Sequence, residues 1–305
     1  MKLKGGKSRP LIVFKRKVCY NLSMKEFVFI VEQKFNNYKC IDFLSAIGLS
    51  SQIINKVKFG GVFVCEKQLS NINERVKTGE QVKIVLPNDR PNPYITPSKE
   101  KLDIIFEDEY MIAVNKQKGV LTHSSKGNGA PSLEEMLCGY FLSNPFTFRA
   151  INRLDRDTSG IVLIAKDMIT ASFLGEQMKR GEIKKTYSAI VIGKPKEKHF
   201  FIEKPIKRIS ENSMKRVCAD DGQFAKTECV VVGEIKDGFT QIDAKLHTGR
   251  THQIRVHLSS IGLPLYADAL YGEKVDGKTY TLHAKSLEFI HPFTKEQIKL
   301  TCELK

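Results

Sequence analysis

Residues 151–167 read INRLDRDTSGIVLIAKD. Arg153, Asp155, Arg156 and Asp157 put four charges into five positions, and the turn residues Thr158-Ser159-Gly160 follow them. Next comes Ile161-Val162-Leu163-Ile164-Ala165, an apolar run of strand length. A charged loop tied to a buried strand holds a carboxylate at the edge of a core. Taken alone, the same stretch is also what an Asx-type turn closed by an Arg–Asp ion pair looks like.

A second stretch, HTGRTHQIRVH at residues 247–257, spaces its histidines five apart. Five residues advance a helix by about 500°, so His247, His252 and His257 do not share a face and make poor joint metal ligands. The informative residue is Arg250, at an expected helix start with Arg255 one to two turns on. An arginine there opposes the helix dipole, so an anion nearby would offset it. A carboxylate lifted out of water drifts towards its neutral form, and an arginine in ion-pair reach holds it charged and aimed. Asp155 facing Arg250 would therefore be a nucleophile-grade carboxylate, with a structural salt bridge as the competing account.

The rest of the chain must position these stretches. Strands are expected at 102–106 and 111–115 around Glu107-Asp108-Glu109, and Ser132 with Glu135 forms a capping box for a helix to about Leu142. A helix is expected over 170–180 and a strand over 186–192. A hairpin of 229–235 and 239–246 turns at Asp237-Gly238. A helix over 251–261 and closing strands over 280–289 and 297–304 complete the body. Hairpins with a few helices and no βαβ repetition indicate an α+β fold.

Ahead of this body, residues 1–90 carry 17 Lys+Arg against 7 Asp+Glu, a net +10 of the chain's +15. Such a basic front third suits a polyanion. Residues 1–23 form a basic extension; 24–88 hold a strand at 27–31, two short helices and a small sheet. Ser50 caps the second helix, which points Ile53, Ile54 and Val57 inward and Lys56 and Lys58 outward. Pro87, Pro91, Pro93 and Pro97 then mark a semi-rigid linker over 89–100, and the body of 101–305 follows. The seven scattered cysteines include no CxxC pair, which fits a reducing, cytoplasmic setting. No apolar run reaches the ~18 residues of a membrane span, and no secretory leader is evident.

The motifs together resemble the RluA/RluD-type pseudouridine synthases. Arg153–Gly160 (RLDRDTSG) is similar to that family's signature loop, and Glu107-Asp108, Val114-Asn115-Lys116 and residues 119–123 to its opening hairpin. Lys184-Lys185-Thr186-Tyr187 matches a second motif, residues 248–255 (TGRTHQIR) a third, and Tyr271-Gly272 and Leu282-His283-Ala284 follow in order. Residues 24–88 resemble, more loosely, the S4-type RNA-binding domain. Asn152 stands where histidine is usual, Gln117 where proline is, and Ala267 and Ala269 flank Asp268 where glycine and proline are typical.

The resemblance implies a mixed, mostly antiparallel catalytic domain preceded by a small α+β S4-like unit. It implies an isomerase for uridine in structured RNA, large-subunit rRNA first and tRNA second, with no cofactor or metal and a monomeric enzyme. Asp155 would be the catalytic carboxylate, Arg250 its partner, and Tyr187 the ring that stacks on uracil. Arg153, Arg156, Arg255, Lys56 and Lys58 would contact RNA. A non-catalytic RNA-binding factor needs no carboxylate, and a glycosidase-like hydrolase needs a second one beyond Asp157.

Overall fold

A computed structural model describes residues 24–87, 92–125, 130–143 and 147–304. The basic extension and the middle of the proline segment lie outside the described residues. The front unit runs β1 (Met24–Ile30), α1 (Cys40–Ala46), α2 (Ser51–Val57), β2 (Val62–Val64), β3 (Lys67–Gln68) and β4 (Gln81–Pro87). Its four strands form an antiparallel sheet in the order β1-β4-β2-β3. The Ser50 hydroxyl accepts from the Ile53 amide and starts α2, whose Ile53, Ile54 and Val57 turn inward.

The body continues with β5 (Ile104–Glu107), β6 (Met111–Lys116), α3 (Leu133–Tyr140), β7 (Ser159–Ala165), α4 (Met168–Lys179) and β8 (Lys184–Ile192). After these come β9 (His199–Glu203), β10 (Ile206–Arg208), β11 (Arg216–Cys218), β12 (Lys226–Ile235) and β13 (Phe239–Leu246). The closing elements are α5 (Gln253–Ser259), β14 (Leu282–Ile290) and β15 (Gln297–Thr301). The Ser132–Glu135 capping box forms at α3. The β12–β13 connection is the three residues Lys236–Gly238 between the paired Ile235 and Phe239, and it places Asp237 and Gly238 in the left-handed region at φ 69° and 80°.

Nine strands make one sheet, β5-β6-β7-β14-β8-β13-β12-β9, with β15 added on β14. Every pairing is antiparallel except β7 with β14. The fold is therefore mixed α+β and mostly antiparallel. The exception sits under the charged loop: β7 begins at Ser159, and Gly160 (φ 108°) lies so close to Ala284 that any Cβ would overlap its backbone. Strands β9, β10 and β11 lay in residues without a strong alternating pattern, and no strand was expected there.

The proline segment does not hold the two units apart. Phe29 packs edge-on against Phe173 of α4, Phe27 stacks with Phe293, and Ile169 joins the same buried cluster. The Ser50 amide donates to the Ser172 hydroxyl, which donates to the Gly48 carbonyl. Gly48 (φ 105°) leaves room for the Phe173 ring, since a Cβ there would stand 3.1 Å from it. The segment itself lies on α3: the Ser98 amide donates to the Glu135 carbonyl, and Gly139 has no side chain because Ser98 occupies the space.

Candidate active site

The charged loop alternates between anchors and presented groups. Asn152, Leu154 and Thr158 are buried, whereas Arg153 and Arg156 are exposed and Asp155 lies between. Asn152 is a clamp rather than a reactive group: its amide donates to the Ile161 carbonyl and accepts from the Leu163 amide, both at 2.9 Å. The Thr122 hydroxyl brackets the Leu154 backbone, donating to its carbonyl and accepting from its amide.

Lys116, at the end of β6, is almost fully buried and donates to the carbonyls of Gln117, Val120 and Arg156 at 2.7–3.0 Å. Its ammonium thereby joins the opening hairpin to the charged loop. Burial pushes its pKa down to about 8, against the attraction of Asp157 and Asp155. Three carbonyls at one nitrogen are satisfied only by the protonated form.

Asp155 faces a different arginine from the one its sequence partner suggested. Arg255 Nη1 stands 3.5 Å from Asp155 Oδ2, and His252 Nε2 stands 3.7 Å from the same oxygen. Arg250 points away: its side chain is exposed and donates from Nε to the Phe224 carbonyl. The helix explains the correction. His252 takes a left-handed conformation (φ 57°), so α5 starts at Gln253 and Arg250 falls in the turn before it, outside the dipole's first residue. Gln253 accepts the Arg250 amide and the Thr248 hydroxyl, fixing that turn. Arg255 instead lies on the buried face of α5.

Arg255 is held on every side. Its Nε and Nη2 donate to Asp268 at 2.8 Å each, and its guanidinium lies 4.3 Å from the Tyr280 ring and 4.9 Å from the Tyr271 ring. Burial disfavours its charge, but the Asp268 hydrogen bonds outweigh that and hold its pKa above the usual range. One edge is thus consumed by a wholly buried carboxylate, and only Nη1 remains for Asp155. Sequence reasoning assigned Asp268 no role, because nothing in a 13-residue separation signals pairing. Ala267, where glycine is typical, adopts the left-handed conformation itself (φ 58°) to deliver Asp268.

Tyr187 on β8 is buried on the cleft floor, and burial followed by the Asp155 charge pushes its pKa well up, so its hydroxyl stays protonated. Burial also pulls His252 below its ordinary value, against the attraction of Asp155. The three histidines of this stretch go separate ways: His247 to Glu228, His252 to Tyr271 and Asp155, His257 to Thr227 and the Lys204 carbonyl. Asp155, Tyr187, Arg153, Arg250 and Arg255 all line one open cleft of about 490 Å³. Arg156 lies outside it, its Nε 3.3 Å from Asp157. Lys56 is on α2 in the front unit and Lys58 caps its C-terminal end, over the exposed Phe59 ring. Among the described residues no helix is long and apolar enough to cross a membrane.

A half-exposed carboxylate, aimed by a locked arginine over a buried aromatic floor, suits chemistry at a sugar carbon carrying a planar base. Comparison with known proteins agrees. The RNA pseudouridylate synthase family profile matches residues 110–260. The chain is 32% identical over 267 residues to the uncharacterized RNA pseudouridine synthase YjbO of Bacillus subtilis, covering 86% of this chain and 94% of that protein. It is 32% identical over 248 residues to the ribosomal large subunit pseudouridine synthase D of Zymomonas mobilis, covering 75% and 77%. Among solved structures, human RNA pseudouridylate synthase domain containing 1 superposes with a TM-score of 0.57 at 27% identity, over 68% of this chain and 85% of that one.

Proposed function

The chain belongs to the RNA pseudouridine synthase family, and from that premise we propose that Asp155 is its catalytic carboxylate and large-subunit ribosomal RNA its substrate. The reaction is an isomerisation: the ribose C1′–N1 bond of a uridine breaks, the base turns, C1′ joins C5, and the C5 proton is released as N1 gains one. No electrons are gained or lost overall. Breaking a glycosidic bond calls for an anionic oxygen beside C1′.

The observation that carries the assignment is the division of labour at Arg255. Asp268 takes the arginine's fork, so Asp155 meets only the remaining Nη1, as an ion pair at 3.5 Å, and keeps its outer face open, with 35% of its side chain exposed. A structural ion pair would occupy the fork itself. Tyr187, neutral and buried two strands from β7, offers its ring to the uracil. Extruding the uridine costs a few kcal/mol, and Arg153 and Arg250 on the cleft wall offset part of it by meeting phosphates. Residues 24–88 act as the S4-like docking unit, with Lys56 and Lys58 towards RNA. The resemblance to the Zymomonas mobilis enzyme supports the ribosomal substrate, and a ribosomal substrate fits a cytoplasmic enzyme.

Tritium release from rRNA and tRNA labelled at uridine C5 tests both parts. Asp155→Asn keeps the shape and loses the charge; it should abolish release while leaving folding and RNA binding near wild type. Appreciable turnover by this variant removes Asp155 from the role. Release from tRNA and none from large-subunit rRNA reassigns the substrate.

A further inference from the structure

Four cationic Lys/Arg side chains line the cleft, Arg153, Lys185, Arg250 and Arg255, against a single carboxylate, Asp155. Arg255 is satisfied by Asp268 and Asp155. Lys185 is the anomaly. It is half-buried, and among the described residues no carboxylate pairs with it; its ammonium meets the Met178 sulfur at 3.5 Å. Burial alone pulls its pKa down, with no opposing charge to restore it. An enclosed ammonium is unfavourable unless an anion joins it.

The position of Lys185 says which anion. It stands two residues before Tyr187 on β8, so both side chains project from the same face, about 7 Å apart along the strand. Both line the cleft, which thus offers a ring and an ammonium on one face, the two groups that the base and the phosphate of a nucleotide require. Beside the ammonium runs the 248–251 turn, where Gly249 has no side chain to cover it: a Cβ there would stand 3.5 Å from Nζ. Arg250 in the same turn also lacks a carboxylate partner among the described residues.

We propose that Lys185 is the floor of a phosphate subsite that holds the phosphodiester of the target uridine itself while its base lies on Tyr187. This rests on the reading of the cleft as the uridine site. The base, sugar and phosphate of one nucleotide then meet Tyr187, Asp155 and Lys185 in turn. Lys185 binds the substrate and takes no part in proton or bond transfer.

Full-length protein is titrated with uridine and with uridine 5′-monophosphate, following backbone amide shifts by NMR. Wild type should prefer the monophosphate by about 10- to 100-fold, the size of one charge-assisted contact. Lys185→Met, which keeps an unbranched stem and removes the ammonium, should lose that preference, and Lys185→Arg should retain most of it. Equal binding of the two ligands by wild type, or an undiminished preference in Lys185→Met, overturns the subsite. If Lys185→Met does not fold, the wild-type titration and Lys185→Arg decide. Asp155→Asn should keep the preference while losing tritium release. An intact preference in a protein that releases no tritium from any RNA would instead count against the synthase chemistry alone.

Discussion

Nη1 of Arg255 stands 3.5 Å from Oδ2 of Asp155, on a guanidinium whose other edge is fixed to the buried Asp268. The arginine is therefore a rigid bracket between one carboxylate that never leaves the core and one that faces the cleft. Rigidity comes from the fork and from the two tyrosine rings, and it passes to Asp155 as a preferred orientation.

Arg255→Lys should consequently fail twice. The planar fork is lost and Asp268 is left poorly satisfied, so stability should drop on the order of 3 kcal/mol. Turnover of the folded fraction should fall by much more than the melting curve explains. Arg250→Lys, at an exposed position, should cost affinity for RNA and little stability. Thermal melts and single-turnover rates on the same preparations make the comparison. A normal rate from folded Arg255→Lys would reduce Arg255 to a brace for Asp268.

Lys116→Met should loosen the charged loop from below. Three carbonyls lose their donor, though the Gly119 amide still holds Arg156. A loss of about 3 kcal/mol is expected for buried acceptors left unpaired, read from urea unfolding. If stability is unchanged, the three contacts carry no weight and the loop is held elsewhere.

Asp108 gives a pH dependence. Burial raises its pKa, but hydrogen bonds from His291 and from the Met111 and Tyr110 amides prevail and hold it below the ordinary value. Between the folded and unfolded values the unfolded chain binds the extra proton, so the stabilisation is full above about pH 4 and lost as pH falls through the folded value. Urea midpoints of wild type and Asp108→Asn should differ at pH 7 and draw together towards pH 3. Parallel curves across that range would show that Asp108 has no such role.

Removing residues 1–88 should uncover Ile169, Phe173 and Phe293 on the body. At about 1.5–3 kcal/mol for each large apolar side chain returned to water, the remaining domain should melt well below the full chain. Its RNA affinity should also become less sensitive to salt, because phosphate contacts and their released counterions go with the front unit. Equal melting temperatures would mean that the shared cluster contributes nothing, and equal salt slopes that the front charge does not touch RNA.

Local order was legible in the chain itself. Ser50 and Ser132 marked helix starts because a side-chain oxygen three residues ahead of an amide caps it whatever the surroundings. Asp237-Gly238 marked a hairpin, and the apolar run after Gly160 marked the central strand, since both depend on short-range geometry. The order of the motifs was enough to point to the family. Which arginine meets Asp155 was a tertiary decision. A left-handed His252 delays α5 by two residues, turns Arg250 out and rotates Arg255 in, and spacing alone does not reveal a single positive φ. Asp268, the Arg255 bracket and the docking of Phe29 on Phe173 likewise join residues far apart in sequence, which only packing brings within reach of one another.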